Sequence, residues 1–149
     1  MNQNKTAILG GMVLSLLLGG CAITTTVKPL ANTNVSQLCI KKNPSVLMDG
    51  FLPELESQIS NYGITTRTFV ESLPIECVHN LEYTANWRWD MAMYLSYAEL
   101  KVYEKETLVG EAVYDARSGS GRLDKFGPTA EKLKTLTEPL FGHQSRESK

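Results

Sequence analysis

The residues of this sequence that could do covalent chemistry are its three cysteines, Cys21, Cys39 and Cys77. A thiol can be alkylated, joined to a second thiol or used as a metal ligand. No two of these cysteines form a CxxC pair, and only His79 lies near either of the last two, which argues against a metal site. Cys21 follows a leucine and two glycines.

Acid–base chemistry has little support in the sequence. A catalytic histidine needs a nucleophile and an orienting carboxylate, and the surroundings of His79 and His143 supply neither. Four carboxylates could pair for glycosidic chemistry or simply be solvent-facing strand charges: Asp90, Glu99, Glu111 and Asp115. We therefore predict no catalytic residues, no cofactor and no metal site.

One aromatic strand is the best candidate for a binding surface. In the segment LEYTANWRWD, Tyr83, Trp87 and Trp89 fall on one face by strict alternation, with Arg88 and Asp90 on the other. The rings are either core under the helices or an exposed surface for a partner or glycan. Trp and Tyr give large contact area at low entropic cost, which suits the second role. These five residues are the candidate binding site.

The first residues indicate export. Lys5 gives residues 1–20 a basic head, and residues 7–18 form an apolar run. A basic head, an apolar core and small residues at the end are typical of a secretory signal peptide. The alternative is a transmembrane helix, which needs about 20 apolar residues, more than this run contains.

The end of this leader resembles the lipobox of bacterial lipoproteins, a Leu and two small residues before an obligatory Cys. The resemblance implies cleavage before Cys21, a diacylglyceryl thioether on its sulfur and an amide-linked acyl chain such as palmitate. Two or three chains hold a protein firmly on a bilayer, whereas one holds it marginally. Ala22, rather than Asp, implies sorting to the outer membrane, with the domain facing the periplasm and surface exposure as the alternative.

The charge balance excludes nucleic acid as a partner. The chain has 15 basic and 16 acidic side chains, and Lys5 leaves with the signal peptide. Nucleic-acid binding proteins carry a basic patch or stripe. The partners that we predict are the membrane, through lipidated Cys21, and an envelope protein.

The two remaining cysteines would enter a compartment that oxidises thiols. Once Cys21 is lipidated, Cys39 and Cys77 form the one intramolecular pair available. A disulfide between them would stabilise the fold by about 4 kcal/mol on the chain-entropy model. Two buried free thiols are the alternative.

The mature chain divides into three parts. Residues 21–36 combine the lipidated cysteine with a segment that has no hydrophobic periodicity, and we expect a flexible tether. Residues 37–142 carry the periodic patterns of one globular domain. Residues 143–149 are a polar tail.

Alternation and β-branched residues predict strands at 37–41, 64–71, 81–90 and 108–115. Residues 91–104 are also favoured as a strand, with a helix at their start as the alternative. Two apolar stripes at helical spacing predict helices: Met48, Leu52, Leu55, Ile59 and Tyr62, then Ala130, Leu133, Leu136 and Leu140. Pro139 and Gly142 are expected to end the second helix. This order predicts a two-layer α+β sandwich, with an antiparallel sheet of about four to five strands packed by two helices.

Residues 83–116, which begin YTANWRWD, resemble small Gram-negative outer-membrane lipoproteins of an uncharacterised family that have a lipobox and two later cysteines. The resemblance covers the mature domain and implies outer-membrane lipoprotein status and no established activity, so it assigns no catalytic residue. Our leading hypothesis is a non-enzymatic binding or assembly accessory of the envelope. The alternatives are a cell-wall or lipid-modifying enzyme and a small-ligand binder that uses the aromatic strand.

Overall fold

The computed structural model describes residues 22–31, 34–119 and 121–142, so the predicted signal peptide, Cys21 and the predicted polar tail lie outside the described residues. The elements follow in chain order: β1 Thr24–Lys28, β2 Gln37–Lys41, α1 Phe51–Ser60, β3 Thr65–Phe69, β4 His79–Asp90, β5 Ala92–Glu104, β6 Thr107–Asp115, a 3₁₀ turn Asp124–Phe126 and α2 Thr129–Phe141. The α+β class predicted from the sequence is confirmed.

The sheet is larger and less regular than predicted. Six strands form one sheet in the order β1-β6-β5-β4-β2-β3. β4, β5 and β6 form an antiparallel meander, but β2 pairs in parallel with both β3 and β4. The predicted all-antiparallel sheet of four to five strands was therefore wrong. A helical crossover such as α1 returns the chain in its original direction, which makes β2 and β3 parallel.

β1 corrects the prediction of a flexible tether. Thr24 pairs with Asp115 and Lys28 with Glu111, so β1 is an edge strand along β6. The chain then packs Leu30 in the core, where its N–H donates to the carbonyl of Leu140 3.1 Å away. The segment TTTVK carries one large apolar residue, so the sequence contains no alternation that would reveal a strand.

The two helices cover one face of the sheet. Buried residues of both helices belong to one hydrophobic core with the inward side chains of the strands. In α1 these are Phe51, Leu55 and Ile59. α2 continues through Pro139 to Phe141 and has Gly142 at its C-cap, so the predicted end is confirmed at the glycine and wrong at the proline. Pro139 cannot donate a hydrogen bond to the carbonyl of Thr135, but the burial of Leu140 and Phe141 beyond it favours continuing the turn.

A loop at residues 70–78 crosses the opposite face of the sheet. It connects β3 to β4 past β2, which lies between them. Cys39 alternates with the core residues Leu38 and Ile40, so its side chain points away from the helices and towards this loop. Its disulfide with Cys77, whose Cα lies 6.0 Å away, confirms the predicted pairing. No helix among the described residues is long and apolar enough to cross a membrane.

Candidate functional site

The β4–β5 hairpin extends beyond the rest of the sheet. β2 pairs with β4 only at Asn80 and Leu81, and β6 pairs with β5 only from Tyr97 onward. Within the described part of the chain, residues 86–96 therefore have no strand neighbour outside the hairpin itself. We call these residues the hairpin arm.

The end of the arm is apolar and exposed. Asp90 pairs with Ala92, so Met91 alone forms the turn, and its φ of 61° lies in the left-handed region. This conformation costs a side-chain-bearing residue about 1–2 kcal/mol. Trp89, Met91 and Met93 are 73%, 86% and 56% exposed, and we call these three side chains the apolar tip.

The aromatic strand face divides between core and surface. Tyr83 is buried, with its ring centroid 5.6 Å from that of Phe51, and its hydroxyl accepts from the Asn43 N–H at 3.3 Å. Trp87 is partly buried and meets Phe51 edge-on, also at 5.6 Å. Trp89 lies on the same face but is exposed. The sequence assigned all three rings to one face, and it did not show that packing against α1 reaches Trp87 and not Trp89.

The two polar candidates on β4 differ in their partners. Arg88 is exposed on the arm. Asp90 Oδ2 accepts from Lys125 Nζ at 2.5 Å, and the Lys125 side chain is only 4% exposed. This ion pair joins the arm to the 3₁₀ turn, where the Lys125 ammonium also lies 5.1 Å from the Phe126 ring centroid. An ammonium over a ring face is favourable.

A second buried lysine lies behind this contact. Lys132 Nζ donates to the carbonyls of Lys125 and of Leu95, and it lies 5.5 Å from the centroid of the Tyr114 ring. Burial lowers the pKa of Lys132, and the nearby Asp124 carboxylate opposes this shift. Neither lysine stands out in the sequence, because an isolated lysine in a turn or on a helix normally indicates a solvated position. Their contacts hold α2, the 3₁₀ turn and the base of the arm together.

The four carboxylates singled out in the sequence each have a cationic neighbour. Lys101 Nζ lies 2.9 Å from Glu99 Oε1 and 3.8 Å from Glu111 Oε1. The hydrogen bond with Glu99 raises the pKa of Lys101. Arg117 pairs with Asp115 at 2.5 Å and lowers the pKa of that carboxyl through its hydrogen bonds. These carboxylates therefore belong to a sheet surface on which charges of opposite sign are paired.

Beside these charges, a shallow groove of about 330 Å³ lies on the sheet face away from the helices. Lysine and glutamate side chains of both signs line it, including the pair Lys41–Glu82 at 3.3 Å. In the described ranges, no three His, Cys, Asp or Glu residues lie close enough together to hold a metal ion.

The sequence matches no protein-family model and no curated protein. The fold, however, is similar to two solved structures of the PelC dodecamer from Paraburkholderia phytofirmans. A single-site variant of PelC superposes with a TM-score of 0.55 at 12% identity, over 85% of this chain and 100% of that chain. A second PelC structure gives 0.53 at 9% identity, over 83% and 98%. At this identity, the likeness shows that the chain shares the PelC fold.

Proposed function

We propose that this chain is a lipid-anchored envelope lipoprotein that acts without catalysis, as a binding or assembly accessory on the periplasmic side of the outer membrane. Residues 1–20 direct export, and Cys21 carries the acyl chains. The observation that carries the proposal is the sequence LGGC at the end of a short apolar leader. Lipid attachment at Cys21 is then the membrane contact, and a larger envelope assembly is the partner.

The Cys39–Cys77 disulfide supports export. Disulfides persist in oxidising compartments such as the periplasm and are rare in the cytosol. Burial of Cys39 and near-burial of Cys77 shield the bond from reductants, as a structural role requires.

Charge pairing supports a role without catalysis. Two catalytic carboxylates that act as acid and base need environments that move their pKa values apart, such as an apolar pocket that raises the pKa of the acid. Here Lys101, Arg117 and Lys125 neutralise the carboxylates that an enzyme of this compartment would have used.

Similarity to PelC supports an assembly role. Both PelC structures are of a dodecamer, and this chain covers nearly all of each PelC chain. We propose that this chain likewise forms a homo-oligomer, in which repeated copies present one surface to a partner in the envelope.

Metabolic labelling with a palmitate analogue tests the anchor. We expect label in the wild-type chain and in the Cys39→Ala, Cys77→Ala double variant, and none in Cys21→Ser. Cys21→Ser is also expected to retain its signal peptide. Label that persists in Cys21→Ser, or wild-type protein without label, would contradict the proposal.

Light scattering on the detergent-solubilised lipidated protein tests the assembly. We expect a mass that is an integer multiple, greater than one, of the mature chain. A monomer at micromolar concentration would remove the homo-oligomer from the proposal. Crosslinking in intact cells then identifies the envelope partner.

A further inference from the structure

The direction of β1 places the hairpin arm and the start of the mature chain at the same end of the sheet. Thr24 pairs with Asp115, and Asp115 pairs with Tyr97. Both pairings are antiparallel, so β1 and β5 run in the same direction, and residues that precede Thr24 leave β1 on the side from which β5 comes. β5 comes from the apolar tip.

Along the strand direction, the apolar tip extends farther from Thr24 than Cys21 can reach. Met91 is six residues before Tyr97, so the tip extends about 20 Å beyond the level of Thr24 along the strand direction. Cys21 is only three residues before Thr24, a reach of about 10 Å at most. A bilayer that holds lipid on Cys21 must come within that reach. The arm therefore meets the bilayer, unless the whole sheet is tilted away from it.

Side-chain contacts strengthen this placement. Ile23, just before β1, lines a cavity of about 280 Å³ together with Asp124 of the 3₁₀ turn. That turn is joined to the arm by the Lys125–Asp90 ion pair. Leu123, immediately before the turn, is 82% exposed and adds a further apolar side chain to this end of the molecule.

The chemistry of the tip suits a lipid interface. Tryptophan favours the headgroup region, where an apolar ring with one polar group is well solvated. Asp90, which lies between Trp89 and Met91 in the sequence, has its charge compensated by Lys125. Arg88 can keep its guanidinium at the level of the phosphates while the tip enters deeper. The strained turn retains a methionine where glycine would cost less, and this indicates that the exposed side chain is used.

We infer that the apolar tip is a second membrane contact, which enters the interface of the same phospholipid bilayer to which Cys21 is anchored. The inference rests on the proposed lipid anchor. It assigns Trp89, Met91 and Met93 to phospholipid and fixes which end of the domain faces the membrane.

Tryptophan quenching by brominated lipid tests this contact. Lipidated protein is reconstituted into vesicles of phosphatidylethanolamine and phosphatidylglycerol with brominated or ordinary acyl chains. The chain has two tryptophans, and Trp89→Phe leaves only Trp87, which packs on Phe51. We expect wild-type fluorescence to fall by roughly a third or more in brominated vesicles, and Trp89→Phe fluorescence to change little.

Two further variants separate the tip from exposed apolar residues in general. The Met91→Ser, Met93→Ser double variant should weaken the quenching of Trp89 at least two-fold. Ile75→Ser should leave the quenching unchanged, because this fully exposed residue lies on the loop that crosses β2. Neither change touches the core.

Each outcome has one meaning. Protein that incorporates palmitate but shows no quenching of Trp89 overturns the inference and leaves the proposed anchor standing. Protein without palmitate removes both. A blue-shifted Trp89 emission that is the same in detergent and in both kinds of vesicle would show that the tip packs on a second copy of the chain, and this also overturns the membrane contact.

Discussion

Met91 illustrates how a single residue can hold a conformation that its own backbone disfavours. Its φ of 61° is one of two left-handed values at non-glycine residues within the described ranges, and the other is Lys105, with 56°, in the β5–β6 turn. Both residues form tight hairpin turns, where the geometry of the paired strands dictates the backbone. A lysine such as Lys105 is common in a solvated turn. A large exposed methionine, such as Met91 at the end of the arm, is uncommon there.

Replacing Met91 with glycine should stabilise the fold and weaken the proposed membrane contact. Glycine removes the left-handed cost, while its extra freedom in the unfolded state returns part of the gain, so we expect up to about 1 kcal/mol. Urea unfolding of the mature domain measures the change. Lys105→Gly is the matched control, with a similar gain in stability and unchanged quenching of Trp89. A loss of stability in Met91→Gly would mean that the methionine packs within the fold.

Lys132 should make stability depend on pH in the alkaline range. Burial lowers its pKa in the folded state below the usual 10.5, so between these two values the unfolded chain binds more protons than the folded one. The contribution of Lys132 to the free energy of unfolding therefore rises as the pH rises from neutrality towards 10.5. Comparison with Lys132→Met at each pH isolates it, since Tyr97 and Tyr114, whose pKa values burial raises, titrate in both proteins.

We expect the wild-type chain to gain stability relative to Lys132→Met between pH 7 and pH 10, by chemical denaturation. A difference that is flat with pH would show that the ammonium stays well solvated, against the buried position beside Tyr114.

At the scale of elements, the disulfide holds the loop between β3 and β4, which has few other contacts with the sheet. The loop at residues 70–78 leaves Val70, Leu73 and Ile75 exposed, so few apolar contacts hold it on the sheet. Cys77 joins it to Cys39 in the middle of β2, and Arg67 of β3 forms an ion pair with Glu76 beside that point. An exposed ion pair of this kind contributes little, so the covalent bond is the main constraint.

Removing the disulfide should cost a large part of the stability. The Cys39→Ala, Cys77→Ala double variant opens a loop of sequence separation 38, and the chain-entropy model gives about 4 kcal/mol. Urea unfolding should show this loss, and limited proteolysis should now cut within residues 70–78. Reduction of the wild-type protein should reproduce both effects. Equal stability of reduced and oxidised protein would contradict the structural role.

The sequence predicted those elements whose own side chains repeat with a clear period. Alternation predicted β4, and stripes such as Leu133, Leu136 and Leu140 predicted α2. β1 was missed because three of its five residues are threonine, so polar and apolar side chains do not alternate along it. The parallel pairing of β2 was missed because direction depends on how distant segments assemble. The projection of Trp89 beyond the core depends on where β6 and β2 stop, and no local pattern in β4 encodes that.

At the scale of the whole molecule, the proposed lipid anchor on Cys21 would give the domain an orientation, because only a short segment separates Cys21 from β1. A long flexible tether, as the sequence suggested, would let the domain turn freely. Because β1 begins three residues after Cys21, a lipid anchor there would bring the bilayer, the 3₁₀ turn and the arm to one end. The charge-paired face with Glu99 and Lys101, and the loop at 70–78, would then be left for the proposed partners in the periplasm.

Lengthening the tether should therefore release the tip from the bilayer. A ten-residue Gly/Ser insertion between Ala22 and Ile23 spans about 17 Å on average, close to the projection of the arm, so the bilayer no longer has to meet the tip. Because the tip then reaches lipid at a lower effective concentration, we expect the quenching of Trp89 by brominated lipid to fall by half or more. The same insertion after Gly142 controls for the added chain and should leave the quenching unchanged. Full quenching with the long tether would show that the tip binds lipid by its own affinity, and that the spacing between Cys21 and Thr24 does not orient the domain.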